Sequence, residues 1–393
     1  MNSIRYISLD PVNLKTSYGE YDTLDFDVVF AGRKLRLNNI RFAATIDSPN
    51  ATQATGALRT DNTLTDFNID PMTGCHAFID SISTEFSNAG QNSGIVESLQ
   101  EYPRYCKMYF QGTQTSAGQN STASACEMRS PQMKWTNSML RGGQAGKPTG
   151  ANVYIASNPN EKANFAVRPR FLLNSVSSQA GEPTISERQV GSVRISIRLS
   201  RFSNVFNGNA ALNDITSYSL TNCRLLYQTY ADDGTDAPMV CRTKANLKQN
   251  VNGDAITLAA RLPIRANSMT ASFYPTADIN DALKNTLALP EPPGVNRLEF
   301  SFNDSTNSFI SYELRDRNTI LQRAVQSLND FDETNDIRLD LIKAGDAYMI
   351  GLGWDEFIDL SRQKFSLLLN STIGSAGVNY TLFSYFHGIL QIG

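Results

Sequence analysis

The residues able to do acid–base, nucleophilic or metal chemistry are few and scattered. Two histidines occur, His76 in GCHAFID and His387 in SYFHGIL, and both fall in stretches whose alternation predicts strand. A Ser-His-Asp site needs a histidine oriented by a carboxylate beside an exposed nucleophile. Neither stretch carries a nucleophile elbow, and a hydrogen-bonded strand histidine is the simpler reading of each. Five cysteines (Cys75, Cys106, Cys126, Cys223, Cys241) are odd in number, widely spaced and without a CxxC. They predict reduced, mostly buried thiols, with no clustered ligands for a metal. Asp232–Asp233, Asp355–Glu356 and the run NDFDETND at 329–336 offer carboxylates. Glycosidase chemistry needs two such groups converging across a cleft, which spacing along the chain does not establish. In RGGQAGKPTG, 141–150, the lysine is followed by proline, so it is not a phosphate loop; the GxG of YMIGLGWDEF, 348–357, reads as a strand turn beside Trp354. No catalytic residue, metal ligand or cofactor site is assigned.

One stretch raises a different chemistry. GSVRISIRLSRF, 191–202, sets Val193, Ile195, Ile197 and Leu199 on one side of an extended chain and Arg194, Ser196, Arg198 and Ser200 on the other. Such a row is either a comb for phosphates or the paired face of a strand. A phosphate comb needs a basic domain around it and aromatic residues interleaved on the same face. The chain carries a formal net charge of −3, and its 20 Phe and 15 Tyr mostly occupy the alternating apolar positions. The arginine row therefore reads as strand surface facing a neighbouring domain, another subunit or solvent, with no sequence-specific nucleic-acid partner.

The elements around these residues are mostly β. LDFDVVF places Leu24, Phe26, Val28 and Phe30 on one face, and KLRLNNIRFAATI slips phase at Asn38–Asn39 as a β-bulge does. Further alternation marks CHAFIDSISTEF, NFAVRPRFLLN, SLTNCRLLYQTY, AITLAARLPI, RLEFSFND, FISYELRD, KFSLLLNS and YTLFSYFHGILQI. Helical pattern is sparse. RNTILQRAVQSLND stripes Ile320, Leu321, Ala324, Val325 and Leu328, with Asp316 or Asn318 to cap it. Short helices are also predicted in ADINDALKNTLAL and in SGIVESLQEY, the latter stopped at Pro103. Stretches 47–70 and 111–163 read as long partner-facing loops. Turn-rich YADDGTDAPMV, 230–240, separates two β-rich halves, 1–235 and 236–393, that share a plan of early strands, a helical insertion and a closing aromatic strand.

At 393 residues there is ample material for a core, and 19% charged residues is low for a freely soluble surface, as when other subunits cover it. No secretory signal and no membrane-spanning apolar run is visible.

Three stretches together resemble a known family: GCHAFIDSISTEFSNAGQNSGIVESLQEYPRYCKMYF, then FAVRPRFLLNSV with GSVRISIRLSRFSNVFNG and LTNCRLLYQTY, then GDAYMIGLGWDEFIDLSRQKFSLLLNSTIGS with its aromatic last strand. The chain is similar in this order of elements to the double jelly-roll major capsid proteins of tailless icosahedral viruses, the adenovirus-type lineage, with a polinton-like virus and virophage flavour. The resemblance implies an all-β fold of two tandem antiparallel eight-stranded jelly rolls with short helical insertions and long tower loops. It implies a structural virion protein and not an enzyme: a homotrimer forming pseudo-hexagonal capsomers. Its partners would be neighbouring capsomers, penton and minor capsid proteins and, in some viruses, an internal membrane. It requires no cofactor. Tyr18 and Tyr21 in the amino-terminal arm, with Arg194 and Arg198, are the expected subunit-interface residues. The alternatives are a penton or minor capsid protein, and a two-domain β-sandwich carbohydrate-active enzyme or lectin.

Overall fold

The computed structural model describes residues 4–47, 67–70, 72–87, 94–113, 126–127, 129, 163–176, 183–208, 217–281, 284–303, 308–329 and 347–392. Among the described residues twenty strands and four α-helices run in order: β1 (Arg5–Leu9), β2 (Thr23–Val28), β3 (Arg33–Arg36), β4 (Arg41–Asp47), β5 (Phe67–Asn68), β6 (Ile79–Phe86), β7 (Gly94–Leu99), α1 (Tyr102–Thr113) and β8 (Ala163–Val167). Next come β9 (Thr184–Ile185), α2 (Glu187–Val190), β10 (Val193–Leu199), α3 (Phe202–Val205), β11 (Asn207–Gly208) and β12 (Ser219–Ala231). The later chain holds β13 (Met239–Val251), β14 (Ala255–Ala260), β15 (Arg265–Pro275), β16 (Arg297–Asn303), β17 (Ser308–Leu314), α4 (Arg317–Asn329), β18 (Ile350–Asp359), β19 (Lys364–Asn370) and β20 (Tyr380–Ile392).

Strand order shows two copies of one topology. In the later chain the sheets run β13-β20-β15-β18 and β14-β19-β16-β17. In the earlier chain β1, β12, β4 and β8 form one sheet and β2-β10-β6-β7 the other. Counting eight principal strands in each half, both give the sheet orders 1-8-3-6 and 2-7-4-5, all pairings antiparallel. This is a jelly roll, twice. The long helix falls between the fifth and sixth strands each time. The first half adds β3 and β9 to its larger sheet and a separate β5–β11 pair.

Alternation builds these sheets, and β10 illustrates it. Val193, Ile195, Ile197 and Leu199 are all buried, while Arg194 and Arg198 are exposed. Burying each such apolar side chain contributes about 1.5–3 kcal/mol. One apolar cluster fills the second sandwich. The other fills the first and continues across the junction through Tyr274, Leu287, Leu289, Leu328, Phe383 and Tyr385.

The α4 helix forms where its stripe predicts, with Ile320, Leu321, Ala324, Val325 and Leu328 all buried. Asp316 is the cap, its carboxylate accepting the Asn318 and Thr319 N–H groups at 3.2 and 2.8 Å. Other expectations need correction. SGIVESLQEY is not a helix: its first part is β7, the edge strand of its sheet, and Pro103 lies in the first turn of α1 where it was expected to stop a helix. The first turn of a helix has no use for the missing N–H, so proline suits it. Of ADINDALKNTLAL only Ala277 and Asp278 are helical among the described residues, in the 3-10 turn Thr276–Asp278. There the Asn285 carboxamide oxygen accepts the Leu287 N–H at 3.0 Å, turning the chain so that Leu287 and Leu289 enter the junction. His76 lies in a 3-10 turn, Gly74–Phe78, and not in a strand. The Asp70 carboxylate accepts the Met72 and Thr73 N–H groups just before that turn, and Gly74 at φ 55° admits it.

The phase slip at Asn38–Asn39 is larger than a one-residue bulge. Leu35 sits opposite Thr229 and Arg41 opposite Leu226, so six steps along β3 and β4 run against three along β12. The three extra residues loop out at Asn38, where φ is 60°. Asn38 exchanges two hydrogen bonds with the Val176 backbone at 3.2 and 3.0 Å, and Asn174 exchanges two with Ile40 at 2.9 and 2.7 Å. Val176 in turn bridges Cys241 of β13, tying the loop-out to the second sandwich.

The stretches 47–70 and 111–163 lie largely outside the described residues, as does RGGQAGKPTG and the acidic run from residue 330 onward; residues 111–113 end α1. All five cysteines are free, and four are buried. Among the described residues no helix is long and apolar enough to cross a membrane.

The GxG of YMIGLGWDEF is not a turn. It lies within β18, where α4 packs down onto the strand. A Cβ on Gly351 would meet the Ser327 Oγ at 2.6 Å and the Met269 carbonyl at 2.7 Å. Gly351→Ala is therefore expected to destabilise the fold by about 1–3 kcal/mol through overpacking. Gly253→Ala, where the new methyl meets nothing closer than 3.7 Å, should leave the urea unfolding midpoint nearly unchanged.

Candidate assembly interface

The arginine row of β10 lies on the outer face of its sheet, between acidic residues of the neighbouring strands. Arg194 faces Asp27 of β2 in register, and its guanidinium donates twice to that carboxylate at 2.6 and 3.1 Å. The paired arginine holds the Asp27 pKa below its ordinary value. Ser196 donates to Asp25 at 2.5 Å. Arg198 lies 3.9 Å from Asp80 and stacks over the Tyr21 ring at 5.2 Å. The row is paired strand surface, not a phosphate comb. Tyr21 is 53% exposed, with φ of 63°. Tyr18 is only 2% exposed, and its hydroxyl donates to the Asn13 carbonyl while accepting the Lys15 N–H. Its side chain is engaged inside its own sandwich. Tyr21, Arg194 and Arg198 share one exposed face.

The halves meet around α1, whose residues are buried from Tyr102 to Thr113. Buried polar groups require partners, and these come from both halves. Arg104 donates to the Thr286 and Ala288 carbonyls and lies 4.3 Å from the Phe383 ring centroid and 5.0 Å from that of Tyr274. Lys107 reaches Asp70 at 2.9 Å, and Asn285 donates to the same carboxylate oxygen at 2.7 Å. These partners hold the Asp70 carboxyl below its ordinary value against the opposing effect of burial. Tyr105 packs on Tyr385 and His387, and Tyr385 donates to the Glu101 carbonyl at 2.7 Å. Glu97 of β7 accepts from the Leu172 and Lys244 N–H groups at 2.6 and 3.1 Å, while burial pushes its pKa up.

One cluster has the order of a nucleophilic site. Cys106 Sγ lies 3.8 Å from His76 Nδ1, and His76 Nε2 lies 3.4 Å from the Glu127 carboxylate. The Tyr102 hydroxyl accepts the Arg170 N–H at 2.9 Å and lies 2.8 Å from His76 Nδ1. Burial pushes the Cys106 thiol up to about 12 and His76 down. A protonated, fully buried thiol is not a nucleophile. This is a buried internal cluster, in which Arg129 lies 2.7 Å from Glu127.

Of the acids weighed for glycosidase chemistry, Asp232 and Asp233 are engaged, and the run from residue 330 lies outside the described residues. A cleft of 1520 Å³ between the halves is lined by Glu97, Asp236 and Asp359 among others. Asp236 and Asp232 clamp one guanidinium, that of Arg188, at 2.8 and 2.6 Å, and Lys34 reaches Asp233 at 2.5 Å. Asp359 accepts twice from Ser361. Among the described residues no group of three or more His, Cys, Asp or Glu could hold a metal ion.

Sequence reasoning did not find the junction residues Asp70, Arg104, Lys107 and Glu97. The one signal was YPRYCKMYF itself, whose aromatic residues surround two cations and leave no polar face for water.

No protein-family model matches the chain, and no curated protein does. Solved structures do. The Faustovirus major capsid protein is similar at TM-score 0.59 and 10% identity, over 100% of this chain and 90% of that one. PBCV-1 VP54, as fitted into a cryo-EM reconstruction of the virophage Sputnik, is similar at TM-score 0.55 and 8% identity, over 100% and 95%. The Sputnik virophage structure itself gives TM-score 0.53 and 9% identity, over 99% and 86%. The fold is that of the double jelly-roll major capsid proteins.

Removing one partner of a buried ion pair leaves an uncompensated charge, typically costing 3–5 kcal/mol. Lys107→Met should lower stability by about that amount, read from urea unfolding at pH 7. Asp70→Asn combined with Lys107→Met should recover part of the loss.

His387 makes a separate prediction. Burial first, then Lys244 and Arg242, pull its pKa down to about 3. The native state resists a proton that the unfolded chain accepts near pH 6.5, so this stabilisation is full above about pH 6.5 and fades as pH falls towards 3. His387→Gln should lose less stability than the wild type between pH 7 and pH 5, by roughly 1 kcal/mol or more.

Proposed function

We propose that this chain is a major capsid protein whose activity is assembly: three copies associate into a pseudo-hexagonal capsomer, and capsomers tile an icosahedral shell. The carrying observation is that both jelly rolls, through the whole chain, superpose on a viral major capsid protein over 90% of that protein's length. We take residues 1–235 and 236–393 as the two jelly-roll domains, joined by the linker that Arg188 and Lys34 clamp. The location is the virion. No enzymatic role is assigned, because the thiol–imidazole–carboxylate cluster found among the described residues is buried and the cleft carboxylates Glu97, Asp236 and Asp359 have partners. Tyr21, Arg194 and Arg198 belong to the outward-facing surface available to neighbours. Penton and minor capsid proteins are the further partners of such a shell.

Permanent subunit interfaces often bury more than about 2,000 Å² and persist at micromolar concentration. Sedimentation of the purified chain should therefore give a species of roughly three times 43.3 kDa, and electron microscopy should show hexagonal capsomers, sheets or shells. A strictly monomeric protein that cleaves or binds glycans would overturn the reading.

A further inference from the structure

Positive charge is left uncompensated where β8 runs on towards α1. The segment VRPRF, 167–171, buries Val167, Pro169 and Phe171 and sets Arg168 and Arg170 together on the other side of an extended chain. The backbone is held at both arginines: Glu127 accepts the Arg168 N–H at 3.1 Å, and the Tyr102 hydroxyl accepts that of Arg170 at 2.9 Å. The guanidiniums are served less well. That of Arg168 makes one long hydrogen bond, 3.4 Å to the Asn174 carbonyl, and that of Arg170 lies over the Tyr109 and Phe110 rings at 4.7 and 5.5 Å. The Nε atoms of both are buried with no hydrogen-bond partner among the described residues.

A third guanidinium stands beside them. The β4–β8 register, continued one residue past Phe42 and Val167, sets Arg41 opposite Arg168. Like charges opposed in a sheet repel. Burial first, then Arg170 and Arg41, hold the Arg168 pKa down to about 10, with Glu127 pulling the other way. Among the described residues none of the three arginines is in an ion pair, and the carboxylate at hand, Glu127, is taken by Arg129 at 2.7 Å. The stretch 114–162 is itself basic, with Glu127 and Glu161 against Arg129, Lys134, Arg141, Lys147 and Lys162. Access is from the outer face of the larger sheet. There Ser8, Leu226 and Arg41 lie in a row across β1, β12 and β4, with Tyr6 and Gln228 paired beside them. Among the described residues no carboxylate lines the 470 Å³ groove these side chains form, and Tyr6 on its wall is 79% exposed.

We propose that Arg41, Arg168 and Arg170 form a binding site for a phosphate group, and that the groove beside Arg41 holds the rest of a phosphate ester. Buried donors without acceptors and like charges held together both cost free energy, and one anion among them relieves both. Guanidinium forks match phosphate oxygens, and a tetrahedral phosphate offers acceptors to donors converging from three side chains where a planar carboxylate offers two oxygens in one plane. Tyr6 adds an aromatic face on which a base can stack. A free nucleotide and the backbone of a single-stranded nucleic acid present the same chemistry to this site. The site is complete in one copy of the chain, so it stands apart from the capsid reading.

Calorimetric titration of the full chain at low salt tests the site, with sodium pyrophosphate and a short oligothymidylate as probes. Pyrophosphate should bind and raise the melting temperature. Arg41→Gln and Arg168→Gln should each weaken that binding roughly tenfold or more. Arg41 makes no bond that its loss would break, so Arg41→Gln should melt like wild type in buffer alone and keeps the test valid if Arg168→Gln folds poorly. Arg224→Gln, at a side chain already matched by Asp10 at 3.4 Å, should bind pyrophosphate like wild type. Oligothymidylate that competes with pyrophosphate supports the site and identifies nucleic-acid backbone as a source; binding of pyrophosphate alone supports it with a small phosphate compound as the source. Absence of binding by both probes overturns the site, as does pyrophosphate binding that Arg41→Gln and Arg168→Gln leave unchanged. Citrate, of similar charge, binding as tightly as pyrophosphate overturns it too, making the cluster a carboxylate seat. A strictly monomeric chain that still binds pyrophosphate overturns the capsid reading alone, which separates the two failures.

Discussion

The arrangement of the two halves depends on α1 having no water-facing side. A helix buried all round is ordinarily apolar all round, yet this one carries Arg104 and Lys107. Each cation must find its partner in a fixed place, and the partners are divided between the halves. Asp70, in the first, neutralises Lys107; Asn285, in the second, donates to the same carboxylate; and the Thr286 and Ala288 carbonyls take Arg104. An apolar helix could slide against an apolar sheet with little change in energy. Here a slide of one residue would strand two charges. Buried ion pairs are weak evidence for stability but serve well to fix a register, and that is the work assigned to them in this junction.

The remaining features of the junction follow from the same demand. The segment after β8 must supply backbone groups at defined positions, so Asn174 and Asn38 clamp the loop-out between β3 and β4 and Val176 is delivered to β13. The chain from 284 to 289 is needed as irregular chain, because a helix would bond its own carbonyls and withhold them from Arg104. The same logic explains the sealed Cys106–His76–Glu127 line. It gathers polar groups of α1 and its neighbours, with the hydroxyl of Tyr102 between the Arg170 N–H and the imidazole.

These same places were the least legible in the sequence. Alternation gave β10, β19 and the faces of β2 directly, and a helical stripe gave α4 with its Asp316 cap, because such patterns depend only on which side of an element meets the core. Pro103 was read as a stop because a residue before proline is pushed from the helical region; here Glu101, at φ 51°, turns the chain and leaves proline in the first helical turn. Tyr18 looked like an arm residue because its burial depends on Asn13 and Lys15 folding back on it, a three-dimensional contact without periodicity. The acid partners of Arg194 and Arg198 were equally hidden. Asp27 lies 167 residues away, and only strand pairing brings it into register.

That difference bears on how a chain can keep this fold at about 10% identity to the Faustovirus protein. A jelly roll asks of each strand an apolar face, a turn at each end and a register, and many residue types meet those demands. An enzyme adds a few atoms that must stand within tenths of an ångström of a reacting group, which fixes residue identity as well as polarity. In the structure the fixed identities lie at the junction instead: Asp70 with Lys107, and Asn38 with Val176. They hold two sandwiches in one mutual orientation. For a subunit whose proposed work is to present six sandwiches per trimer at constant angles, that orientation is the functional geometry. A variant that loosened the junction while leaving each jelly roll folded would lose assembly before it lost structure.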